Sequence, residues 1–167
     1  MKRIILMVFM VMFLGIFLIP GGGVYAFNEE QLQQLKTTNK CDRCNLSKAN
    51  LAGANLKEAN LAGANLKEAN LAVAILAGAN LKEANLAGAN LFKTSMIAAQ
   101  MIGANLTEAF LAKAGMRFAN LKGANLEDAN LEDADLDSAN LLGANLEGTK
   151  LKGASLKRAT WTDGSKR

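Results

Sequence analysis

Histidine is absent from all 167 residues, and only two cysteines occur. Without histidine the chain lacks the commonest general base, metal ligand and pH switch. Two cysteines without histidine cannot supply the four ligands of a structural zinc site from one chain. No spacing of acidic residues matches a calcium loop. A strong charge of either sign is missing too, since the formal net charge is +4 and Lys2 and Arg3 at the start of the chain carry two of it. That balance fits neither a nucleic-acid binder nor an acidic DNA mimic. No apolar run is long enough to span a bilayer, which takes roughly 20 residues.

The longest such run is Ile4 to Ile19, 16 uncharged and almost wholly apolar residues. Lys2 and Arg3 precede it, and "PGGGVYA" follows, with Val24 and Ala26 at −3 and −1 of a cut after Ala26. This is the pattern of a secretory signal peptide over residues 1–26. No cysteine directly follows the run, which argues against a lipid anchor. Cleavage removes Lys2 and Arg3, leaving 17 basic against 15 acidic residues. The expected location is outside the cytoplasm, with no membrane contact after cleavage.

From Cys44 onward the chain repeats every five residues, as in "ANLAGANLKEANL". Stepping by five from Leu46 to Trp161 passes 24 centres, of which 20 are Leu, three are Met96, Met101 and Met116, and the last is Trp161. Two residues before each centre, from position 49 to 159, stands Ala, except at Thr94 and Thr149. At about 100° per residue, a step of five rotates a helix by roughly 140°, which leaves no continuous dry face. A plain strand fails as well, because five is not a sustained alternation of two. Within one repeat, however, Ala and Leu stand two apart and point the same way from a short extended piece. The next two residues, polar, charged or Gly, turn a corner. Four such pieces close a square coil of 20 residues, and coils stack about 4.8 Å apart.

This pattern of small residue, Asn, Leu and two variable positions resembles the pentapeptide-repeat proteins over about residues 45–163. The resemblance implies an all-β fold: a right-handed quadrilateral β-helix of about six 20-residue coils. A signal peptide, short leading helix and C-x-x-C pair are most similar to exported cyanobacterial-type members, which implies periplasm or thylakoid lumen. It supplies no biochemical role.

Ahead of the repeats, "FNEEQLQQLKTTNK" predicts a helix near 29–37 within a capping segment over 27–40, packed over the first coil. Asn28 is its N-cap, Gln31 takes the capping-box position, and Leu32 and Leu35 share a face. The repeat domain is expected over 41–163 and a tail over 164–167. Trp161 is in phase to lid the last coil.

The C-x-x-C pair, Cys41 and Cys44, admits a redox centre, half a metal site or a structural disulfide. Counting by five puts Cys44 at an Ala position and Cys41 at a Leu position, so both face inward across one corner. Spacing i to i+3 at a turn meets disulfide distance, and export favours oxidation. A disulfide is therefore expected, not metal and not catalysis.

Two surface features stand out. Glu127, Asp128, Glu132, Asp133, Asp135 and Asp137 form an acidic belt, read as a solvated face. Between Val73 and Phe118 the outer positions turn apolar: Val73, Ile75, Phe92, Ile97, Phe110 and Phe118. The 20-residue coil gathers these six around one corner, a candidate patch for a protein partner or self-association. The leading expectation is a non-enzymatic scaffold or interaction module with no cofactor and no nucleic-acid partner. A gyrase-type DNA mimic needs an acidic surface, and a thiol–disulfide oxidoreductase needs a reactive Cys41–Cys44 pair.

Overall fold

A computed structural model describes residues 28–166. The signal-peptide reading, residues 1–26, therefore lies outside the described residues. The repeats form a four-sided stack in which every coil is 20 residues. Twenty-one parallel bridges pair residues 20 apart, from Lys40 with Asn60 to Asn140 with Thr160. The bridging residues fall into four columns, one per side. In each bridge the middle residue of a side is held twice: Asn65 donates its N–H to the Cys44 carbonyl, and its carbonyl accepts from Leu46 N–H. A third bond links the corners, as from Lys48 N to the Lys67 carbonyl at 2.8 Å.

Strand content is smaller than an all-β label suggests. Each side carries one bridging residue, with no extended strand among the described residues. The reason is the short period. Two of five residues turn the corner, and of the remaining three only the central one bonds to neighbouring coils through both its N–H and its C=O.

The corner is a β-turn closed by a bond from the Ala N–H to the Leu carbonyl three residues back, as from Ala49 to Leu46 at 3.0 Å. Its third residue has positive φ at every corner from Arg43 to Arg158. A type II turn requires this, and Gly meets it without strain. Gly therefore recurs at these corners, yet Val73 (φ 60°) and Phe118 (φ 59°) also stand there. A β-branched residue in this region is unusual and strained.

The interior follows the Ala–Leu register. Every Leu or Met centre from Leu46 to Leu141 is buried, and so are the Ala positions between them apart from half-buried Ala54. Thr94 keeps its hydroxyl satisfied inside by donating to the Leu71 carbonyl at 2.7 Å, and Thr149 does the same to Leu126. At the far end Leu146, Leu151, Leu156 and Trp161 are half-buried, and Trp161 N–H donates to the Ser165 carbonyl as the tail turns back.

Helix α1 spans Glu29–Thr38 and buries Leu32 and Leu35. The Asn28 side chain caps it by accepting from Gln31 N–H. The expected capping box is only half made. Gln31 Oε1 accepts instead from Asn45 N–H at 2.7 Å, which ties the helix to the first coil. Asn39, with φ 58°, ends the helix in a left-handed cap. No helix among the described residues is long and apolar enough to cross a membrane.

Candidate functional site

Where asparagine precedes Leu it does two jobs. Its side-chain oxygen accepts from the backbone N–H two residues on, as Asn50 does from Ala52 at 3.2 Å, which fixes the corner. Its amide then donates to the Asn one coil below. On the side built from Asn45, Asn65, Asn85, Asn105, Asn125 and Asn145 this ladder runs the length of the rod, with one detour where Asn125 donates to Thr107 Oγ1. The sides through Asn70 and through Asn80 keep part of it: Asn90 donates to Asn70 before Phe110 interrupts that column, and Gln100 accepts from Asn120 but donates to the Ala98 carbonyl and not to Asn80.

One side abandons the ladder. Its column reads Asn55, Ile75, Ser95, Gly115, Asp135 and Ser155. Among the described residues no side-chain hydrogen bond joins successive members of this column. Gly115 lacks positive φ, and a Cβ placed there meets nothing within 4 Å. Neither backbone conformation nor crowding calls for glycine at that site.

The six apolar residues singled out above surround this bare column. Val73 and Phe92 sit at the corner on one edge, with Phe110 just beyond; Ile97 and Phe118 sit at the opposite corner; Ile75 lies on the side itself. The band thus straddles a whole side and both its corners, a wider footprint than the single corner expected from the count. Val73 (59%) and Phe118 (54%) are the most exposed. Phe92 is half-buried because it stacks on Phe110, with centroids 5.7 Å apart. Ile102 and Leu142 lie at a corner off this side.

Cations are interleaved with the band. Lys93 Nζ lies 5.2 Å from the Phe92 ring centroid, and Arg117 lies 5.7 Å from that of Phe118. Arg117 is also 3.9 Å from Asp135. Lys113 stands one coil above Lys93.

The acidic belt spreads over several sides. Glu127 and Asp128 occupy one corner, Glu132 and Asp133 the next, Asp135 the bare side and Asp137 its far corner. Asp137 is the most tied: it accepts from Ser155 Oγ and, at 3.0 Å, from Lys157 N–H. The Ser155 bond leads in holding its pKa below the ordinary 3.8. No group of His, Cys, Asp or Glu among the described residues is placed to hold a metal ion.

Cys41 and Cys44 both point into the first coil, 0% and 4% exposed, and are joined as a disulfide with Cα atoms 5.3 Å apart. The pair lies under α1, where Cys41 Sγ is 3.2 Å from the Gln31 carbonyl oxygen.

The family described as pentapeptide repeats matches in eight copies over residues 40–72, 74–111 and 114–153. Among solved structures, the chain is similar to HetL of Nostoc sp. strain PCC 7120, a protein involved in heterocyst differentiation regulation. Identity is 37% and the TM-score 0.52, over 77% of this chain and 64% of that one. It thus spans a little under two thirds of HetL. Rfr23 of Cyanothece 51142 is 33% identical with a TM-score of 0.59, over 80% of this chain and 98% of that one. A thylakoid-lumen protein of Arabidopsis thaliana, AT2G44920, shares 28% identity over 88% of this chain and 77% of that one, with a TM-score of 0.23. No curated protein matches.

Proposed function

The chain belongs to the pentapeptide-repeat family, and from that premise we propose an exported, non-enzymatic interaction module. Its body is a right-handed β-helix of about six coils, and its bare side binds another protein. The observation that carries this is the selective loss of the Asn ladder. Ile75, Ser95 and Gly115 replace ladder residues on one side, and five of the six exposed large apolar side chains among the described residues gather around that side, Leu142 being the exception. Strain at Val73 supports the same reading. Backbone strain costs of order 1–3 kcal/mol, and sites of function are where it collects. The Leu, Ala, Asn and corner positions are otherwise used in holding the coils.

Charge narrows the partner. Lys93, Lys113 and Arg117 lie within the apolar band, and neither lysine has an ion-pair partner within 4 Å among the described residues. A surface with carboxylates around an apolar centre complements this. A two-fold contact between copies of the chain would bring the same cations together.

The test pairs Phe92→Ser/Phe110→Ser with Lys93→Glu/Lys113→Glu. Both variants keep the melting temperature within a few degrees. Each weakens cross-linking to the partner seen with wild type, and the charge reversal removes its salt dependence. If both variants cross-link as wild type does, the bare side is not the binding surface. If wild type cross-links only to itself, the partner is a second copy.

A further inference from the structure

We propose that the Cys41–Cys44 disulfide is a redox latch for the cap: reduction frees α1 from the first coil without melting the rod. The inference rests on the N-terminal end alone and is independent of the bare side.

A 10-residue helix is too short to persist by itself in water. Its order comes from docking, and the docking contacts are few. Leu32 and Leu35 enter the core cluster that contains both cysteines and Leu46. Asn28 N–H donates to the Asn45 carbonyl at 3.0 Å, and Gln31 Oε1 accepts from Asn45 N–H. Gln34 Nε2 donates to the Lys40 carbonyl at 3.1 Å. These anchors bracket the segment that the disulfide holds, residues 40–45.

The first corner is also the one most in need of a clamp. Corners in the middle of the rod have a coil on each side, whereas those of the first coil have one only above. The first corner has α1 in place of a lower coil, and Cys41 stands where the repeat puts Leu. A disulfide fills less volume than Leu with Ala but locks the corner covalently. Breaking it turns a bond into a van der Waals contact, so the sulfurs must separate. Cys41 is fully buried with Sγ already against the Gln31 carbonyl, so the room must come from the helix.

The chemistry is ordinary thiol–disulfide exchange. One thiolate of an external dithiol attacks Cys44 Sγ, the less buried sulfur, forming a mixed disulfide and releasing Cys41 as thiolate. The second thiol of the reductant displaces Cys44 and leaves as a disulfide. Two electrons pass to the protein, and each cysteine gains a proton. Because both sulfurs lie under α1, attack waits for the helix to lift.

The test uses the full chain and dithiothreitol. Hydrogen exchange at residues 29–38 is expected to accelerate about tenfold or more on reduction, with amides of Leu61 to Leu141 unchanged. Cys41→Ala/Cys44→Ala should show the fast exchange without reductant. Leu35→Ser, which loosens the cap, should speed reduction of the disulfide by a similar factor. Equal exchange at 29–38 in both redox states overturns the latch. So does loss of protection throughout the rod, which would make the disulfide a global staple. A reduction rate indifferent to Leu35→Ser overturns the gating by the helix.

Discussion

The side through Asn45 and the side through Ile75 have the same backbone and nearly the same interior. Leu46, Leu66, Leu86, Leu106 and Leu126 line one; Leu56, Leu76, Met96, Met116 and Leu136 line the other, all buried. Both stack through the same parallel bridges at 20 residues. They differ at one outward position per coil. The first keeps six asparagines and a ladder; the second keeps one Asn at Asn55 and then Ile75, Ser95, Gly115, Asp135 and Ser155. Core packing and backbone bonds are thus enough to hold a side. The ladder adds to them, and where it is given up the surface is free for other use.

The largest effect tests the shared part. Leu86→Asp behind the ladder side and Met96→Asp behind the bare side should each unfold the rod, since both positions are fully buried. Burial of such a side chain is worth about 1.5–3 kcal/mol, and an unpaired buried charge costs more still. Circular dichroism and thermal melts check this. Stability retained in one variant only would show that the two interiors are not equivalent.

Next comes the ladder itself. Asn85 gives and receives amide bonds at 3.5 and 3.4 Å and also accepts from Ala87 N–H. Asn85→Ala should cost about 1–2 kcal/mol in chemical denaturation. On the bare side the comparable change, Ser95→Ala, should be nearly silent. Equal losses would remove the distinction between the sides.

A smaller gain is expected at the strained corner. Val73→Gly relieves a left-handed β-branched residue, worth about 1 kcal/mol after the extra chain entropy of glycine. The melting temperature should rise slightly while partner binding falls. Restoring the ladder, with Ile75→Asn/Ser95→Asn/Gly115→Asn, should keep or improve stability, because Gly115 has open space for a side chain.

The smallest effect concerns Asp137 beside the bare column. Its folded pKa lies below 3.8, chiefly through Ser155 Oγ. The native state then binds fewer protons than the unfolded state, so stability is present above 3.8 and is lost as pH falls through the depressed value. Asp137 is only half-buried, at the surface, so solvent screens it and the effect is slight. Ser155→Ala should flatten the pH dependence of the melting temperature below pH 4.

Much of this was legible by counting. The step of five places Leu46 to Trp161 on one inward line, and the same count turns Cys41 and Cys44 into the first coil. The role of asparagine was not legible in that way. Asn65 and Asn85 look like repeated spacers until the coil length of 20 is used to align them. Sorted by 20, the unbroken Asn45 column and the broken Asn55 column are visible in the sequence itself. Gln31 was misassigned because a local motif competed with a contact 14 residues away, the Asn45 amide. The width of the apolar band depended on where each side chain sits relative to a corner, which the period alone does not state.

The most direct measurement is photo-cross-linking from two positions in cells that make the protein natively. A photoreactive residue replaces Ser95 on the bare side or Asn105 on the ladder side. A single foreign protein should be captured from position 95, with capture lost on adding Phe92→Ser/Phe110→Ser, and none captured from position 105. Equal capture from both positions, or capture from 95 that survives those substitutions, would contradict the assignment of the bare side as the binding surface.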